Sequence, residues 1–146
     1  MKLECGIEKI KEGILQVEKI TGKNLTLPIL SSILFIAEGK SLKLRATNLS
    51  LGVEIEIPAK IEKEGVVAVS GIILAGIFSN IFQNENIYLE SDGGNLLIKT
   101  KKSKIKLKGQ ICDDFPTIPI VDGKTFEIEA KKLIEGIKSV YYSSSP

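Results

Sequence analysis

The chain has 146 residues, 43% of them hydrophobic, with 20 Lys and Arg against 18 Asp and Glu for a formal net charge of +2. That length suits one compact domain, or one domain and a fragment, and that apolar content supports a packed core over disorder. The absence of His, and a cysteine count of two, exclude a His-dependent triad and a His-ligated metal site, while a net charge this small does not by itself mark a nucleic-acid binder.

In chain order, Met1 to Cys5 alternates as a half-buried strand does. Ile7, Ile10, Ile14 and Val17 recur at spacings of three and four and fall on one helical face. Glu8, Glu12, Gln16 and Lys19 lie opposite, with Lys9 beside them, and Gly22 is a C-terminal stop. A loop with Lys23 and Asn24 leads into Thr26-Leu27-Pro28-Ile29-Leu30, where Pro28 suits a strand start or an edge. Strands follow at about 33–37, 42–46 and 53–57, joined by turns at Glu38-Gly39-Lys40 and Asn48-Leu49-Ser50. A strand at 66–69 ends in Ser70, which can cap an apolar helix running to about Phe82. That helix reads as buried, with a narrow neutral stripe of Gly76, Ser79 and Gln83. Strands at 87–90, 96–100 and 104–108 complete the series, the first two joined by Asp92-Gly93-Gly94.

The plan is β-α-β-β-β twice, an α+β arrangement of mostly antiparallel sheet with two helices on one face. After Asp122-Gly123 the plan begins a third time. Glu12-Gly13-Ile14 matches Glu135-Gly136-Ile137 at an offset of 123 residues, and at that offset Leu3, Cys5, Ile10 and Val17 meet Phe126, Ile128, Leu133 and Val140. Residues 1–121 thus form a first unit, and 122–146 a linker with the opening strand and helix of a second. Long-period repeats imply arrays of similar units, so the natural protein is expected to continue.

The chemical inventory is thin. Neither GxGxxG nor GxxxxGKS/T occurs, so the common phosphate-cradling loops are missing. No nucleophile, base or metal constellation stands out, so no catalytic activity and no cofactor are expected. Cys5 and Cys112 read as two free thiols of a reducing compartment, and the most apolar stretch is much shorter than the roughly 20 residues of a spanning helix. The expected location is cytoplasmic. The segment 99–108 carries Lys99, Lys101, Lys102, Lys104, Lys106 and Lys108 with no acid among them, Ile105 and Leu107 alternating with the last lysines. Such lysines commonly keep an exposed edge strand from aggregating, and one reading of the chain is a β-rich interaction module that uses this edge and does not act on DNA.

Three stretches carry a family resemblance. Thr26-Leu27-Pro28-Ile29-Leu30 is similar to the TLPIL segment of bacterial DNA polymerase III beta subunits, the DNA sliding clamps. Ala46-Thr47-Asn48-Leu49-Ser50 resembles their Thr-Asp-Leu-Glu turn, with Asn48 and Ser50 in place of acids, and Asp114-Phe115-Pro116 resembles their Asp-Phe-Pro. The resemblance implies the DNA-clamp fold and a processivity factor: part of a ring that encircles duplex DNA without sequence preference and tethers the replicative polymerase. It implies a head-to-tail second subunit and a clamp loader, with the polymerase-peptide pocket in later domains. Carried over by position, Lys9, Lys23, Asn24 and Ser79 would lie near the DNA, Asn24 standing where some members place an Arg. Lys102, Lys104, Ile105 and Leu107 would form the subunit interface, the isoleucine and leucine as apolar anchors and the lysines as charged partners. This chain alone is expected to be mainly monomeric, with its residues 125–146 less stable than the rest.

Overall fold

In a computed structural model of the chain, described over residues 1–22, 27–81, 86–119 and 122–143, the N-terminal alternation forms strand β1 (Lys2–Gly6) and turns Leu3 and Cys5 into the core. Helix α1 (Ile7–Glu18) follows at once and buries Ile7, Ile10, Gly13, Ile14 and Val17, the face given by their spacing. It stops at Glu18, short of Gly22. Gly22 instead fixes the following loop: its N–H donates to the Leu30 carbonyl at 2.8 Å, and Leu30 and Asn48 flank its Cα. Pro28 opens a 3-10 turn (Pro28–Ser31) and not a strand. Its fixed φ suits a first helical position, where its missing N–H costs nothing.

Strands β2 (Ser32–Glu38), β3 (Ser41–Thr47) and β4 (Gly52–Lys63) come next, then β5 (Gly65–Ser70) and helix α2 (Gly71–Ser79). Strands β6 (Asn86–Asp92), β7 (Asn95–Lys99) and β8 (Lys104–Leu107) complete the second half. Asp92 pairs with Asn95 across a two-residue turn. Gly93 and Gly94 both take positive φ there, 54° and 81°, as a hairpin turn matched to strand twist requires. Ser70 stands at the N-cap of α2, but its side chain makes no capping hydrogen bond, and the helix ends at Ser79, earlier than its apolar run suggests. Phe82 and Gln83 lie outside the described residues. Nor is α2 buried all round: Ile72 and Ile73 are exposed on one flank.

The eight strands follow the order β5-β2-β3-β4-β1-β6-β7-β8, every pair antiparallel. Strand β4, 12 residues long, serves two neighbours in turn. It pairs with β3 from Gly52↔Thr47 to Pro58↔Ser41, then with β1 from Ala59↔Cys5 onward. Each half lends its first strand to the other half, since β1 joins β6 and β5 joins β2. Helices α1 and α2 pack on each other and on one side of the sheet. Phe35 and Phe78 are fully buried in the shared core; each such side chain stabilises the fold by roughly 1.5–3 kcal/mol.

A second, smaller cluster lies on the opposite side. Leu34, Ile36 and Ala68 alternate with core residues and so point outward. Ile29, Cys112 and Phe115 cover them. The segment that does this, 109–119, leaves β8, bridges Ala68 through Gln110 and reaches Gly52 with Ile118. Beyond it, helix α3 (Ala130–Val140) forms at the repeat offset, since Ile7 plus 123 residues is Ala130. No residue of α3 is buried. The strand expected at Phe126 and Ile128 is not formed, and Phe126 is 86% exposed. Among the described residues no neighbouring strand offers it a ladder, and a lone strand is not stable in water.

Candidate nucleic-acid face and edge strand

The helix layer carries the first candidate surface. On α1, Lys9 is exposed together with Glu8, Glu12, Gln16 and Lys19, a flank of mixed sign. Helix α2 holds no charged residue at all, and Ser79 at its last position is exposed. The structure therefore places Lys9 and Ser79 on the exposed surfaces of two helices in direct contact. Lys23 and Asn24 lie outside the described residues. One residue that sequence reasoning missed joins the two helices. Lys11 Nζ donates to the carbonyls of Ser79 at 3.3 Å and Ile81 at 3.1 Å. A cation there neutralises the partial negative charge at the end of α2. Its signal in the sequence was its place four residues after Ile7, on the border of the apolar stripe, where a neighbouring helix packs.

Strand β8 carries the second. It pairs with β7 from Lys99↔Lys104 to Leu96↔Leu107. Among the described residues its other side has no strand partner, apart from the Gln110–Ala68 bridge beyond its end. Lys104 and Lys106 are exposed, while Ile105 and Leu107 are half-buried and pack on the domain's own core. The alternation is the expected one, but the apolar pair spends most of its surface inside this domain. Lys102 sits in the preceding turn, where Thr100 Oγ1 accepts the N–H groups of Lys102 at 3.3 Å and Ser103 at 3.0 Å. Lys99 is neutralised by Glu90 at 2.7 Å, and the hydrogen bond from Lys99 holds the Glu90 carboxyl below the usual range. Lys102, Lys104, Lys106 and Lys108 make no ion pair among the described residues, so they leave a positive edge.

The remaining chemistry is sparse. Among the described residues no group of His, Cys, Asp or Glu is placed to hold a metal ion. Cys5 is buried, and burial pushes its thiol up to about 12. The thiol of Cys112 is also pushed up, by partial burial in the small outer cluster. No described helix is long and apolar enough to cross a membrane.

Residues 1–119 match the family described as DNA polymerase III beta subunit, N-terminal domain. The chain belongs to this family. It is 24% identical to the beta sliding clamp of Synechococcus elongatus over 99% of its own length and 40% of the relative's. It is 28% identical to the beta sliding clamp of Helicobacter pylori over 96% and 38%. A crystal structure of the H. pylori beta clamp with 3,4-difluorobenzamide superposes with a TM-score of 0.87 at 27% identity, over 96% of this chain and 38% of that one. The Caulobacter crescentus pol III beta structure gives 0.87 at 26% identity, over 94% and 38%. The chain thus spans about 40% of the length of the relatives it matches. The clamp fold inferred from the sequence is the fold found, and the family is one of processivity factors and not of catalysts.

The three stretches that carried the resemblance meet in space as parts of the frame. Ile29 and Phe115 share the outer cluster, and Leu30 and Asn48 both flank Gly22. Asn48 Oδ1 accepts the N–H groups of Ser50 at 3.0 Å and Leu51 at 2.9 Å, holding Leu49 at a φ of 75°. An amide oxygen serves that turn as well as a carboxylate does.

Proposed function

We propose that this chain is the first domain of a ring-forming DNA sliding clamp, residues 1–121, followed in 122–146 by the opening of a second clamp unit. The observation that carries the reading is the doubled β-α-β-β-β plan with both helices on one side, which superposes on beta clamps over nearly the whole chain. The ring acts topologically and without catalysis. A closed ring cannot leave duplex DNA sideways, so it needs only a weak, sequence-independent field along which to move. The mixed flank around Lys9 and the uncharged α2 with Ser79 agree with that, because tight non-specific binding needs many phosphate contacts. Lys23 and Asn24 complete the DNA-facing set.

Strand β8 is the ring-closing edge. Main-chain pairing with a strand of a second subunit extends the sheet, and Lys102 and Lys104 meet acids of the partner, while the lysine-rich edge repels a second β8. Ile105 and Leu107 contribute the part of their surface that their own core leaves open. The replicative polymerase and the clamp loader bind through later domains. The test is retention of the full-length protein on circular duplex DNA. Retention that is lost when the DNA is linearised supports the ring; retention unaffected by linearisation, or none on the circle after loading, overturns it.

A further inference from the structure

Residues 109–119 do more than lead the chain out of β8. Their root is fixed. A Cβ on Gly109 would collide with the Gly94 carbonyl oxygen and lie 3.1 Å from that of Ala68, so the chain leaves β8 through a gap that admits only glycine. From there the segment crosses the outer face of the sheet on few attachments among the described residues. The Gln110 N–H donates to the Ala68 carbonyl at 2.9 Å, and the Phe115 N–H folds back on the Cys112 carbonyl at 3.0 Å. Cys112 and Phe115 sit on Leu34, Ile36, Ala68 and Ile29, and Ile118 covers Gly52. All three covering side chains are only half-buried, and Ile111 is 74% exposed. The large core lies on the other side of the sheet and does not include them.

We infer that 110–119 is a strap that opens as a unit while the rest of the domain stays folded, and that its closure steadies β8. Segments with few buried contacts and few backbone bonds open first. The Gln110–Ala68 bridge ties the segment leaving β8 to β5 at the other end of the eight-strand order, where β5 also touches β6 and β7. With the strap open, β8 loses that tie and keeps four register pairs with β7 and the packing of Ile105 and Leu107 on the main core. The chain beyond Pro119 runs through the strap, so a pull from that side reaches Ile118 on Gly52 first, then Phe115 and the bridge. This opening is a property of the chain as it stands and is independent of ring assembly, so its failure would leave the reading of β8 as a subunit edge untouched.

Amide hydrogen exchange on the 146-residue chain, with the Phe115→Ala and Ile118→Ala variants, tests it. In the unaltered chain the Gln110 amide is expected to exchange at least tenfold faster than the amides of β3, by an opening insensitive to low denaturant. Phe115→Ala is expected to speed Gln110 about tenfold further and to raise β8 exchange, with α1 and β3 amides and thiol labelling of Cys5 unchanged. Ile118→Ala gives the same pattern more weakly. Exchange that rises uniformly, with Cys5 labelling rising in step, makes the strap an integral part of the domain and overturns the inference. So does β8 exchange that stays fixed when the strap is released.

Discussion

Cys5 turns burial into a pH dependence. Its folded thiol, pushed up to about 12, keeps its proton at a pH where an unfolded cysteine, with a pKa of roughly 8.5, has lost it. The folded state then binds more protons than the unfolded one, so stability is full below the unfolded value and falls as pH rises toward the folded one. Between about pH 9 and 10 the slope is expected to approach about 1.4 kcal/mol per pH unit. Urea melts of the native chain and of Cys5→Ala across that range measure it; an equal slope in both would refute the assignment. The glycines of the matched helices make a sharper pair. A Cβ on Gly13 would sit 3.0 Å from Ile57 Cδ1 and 3.1 Å from Leu44 Cδ1, whereas one on Gly136 meets nothing within 4 Å. Gly136→Ala is expected to stabilise α3 by about 0.5–1 kcal/mol through helix propensity. Gly13→Ala gains the same term but overpacks the core by roughly 1–3 kcal/mol, and so is expected to lower the melting midpoint. If α3 rests on a sheet of its own in the complete protein, Gly136→Ala loses its benefit there.

At the scale of elements, β8 and α3 behave oppositely. Lys104 and Lys106 are exposed and leave the isolated domain's stability within about 0.5 kcal/mol when replaced by Glu. Ile105→Asp puts a charge against the main core and is expected to cost at least about 2 kcal/mol. Lys104→Glu with Lys106→Glu is therefore the clean probe of the edge: the full-length variant stays folded and its subunits separate at higher concentration than the unaltered ones. Unchanged dimer affinity would remove β8 from the interface. Helix α3 spans 11 residues with none buried, and isolated helices of that length are marginal in water. Its amides are expected to exchange far faster than those of β3. Protection equal to β3 in a monomer would show that its apolar face has found a partner. The strands and the inner face of α1 were legible in sequence because alternation and 3.6-residue spacing are local signals, and the repeat placed a helix within 122–146, where α3 lies. The strand at Phe126 was over-read because a strand also needs a neighbour. The end of α2, the 3-10 turn at Pro28 and the covering role of Phe115 were missed, since each is decided by contacts distant in sequence. Of the candidate sites, Lys9, Ser79, Lys102 and Lys104 lie at exposed positions, while the inward lean of Ile105 and Leu107 and the bridge made by Lys11 depend on packing that a one-dimensional pattern does not contain.

For the whole molecule, weak DNA binding is the expectation set by the helix layer. The 146-residue chain is expected to bind linear duplex more weakly than micromolar at physiological salt, with a shallow salt dependence, because the helix layer offers Lys9 and Lys19 only beside Glu8 and Glu12 and an α2 without charge. Fluorescence anisotropy with labelled duplex measures it, and micromolar or tighter binding would contradict a mechanism based on encirclement. The same chain is expected to run as a monomer in sedimentation, since an edge rich in lysine repels its own copy.

The exchange of first strands between the halves also bears on how the protein is made. Of the eight strands β1 is made first, yet it lies between β4 and β6. Its β4 side can pair once β4 is made, but its other edge has to wait until Ile87 and Leu89 have been synthesised and have cleared the exit tunnel. The first half cannot settle on its own either, since one edge of β2 stays bare until β5 arrives. Folding during translation is therefore delayed to a late, nearly all-or-none event, and a stall between β4 and β6 strands a nascent chain with its apolar strands open to capture by a chaperone.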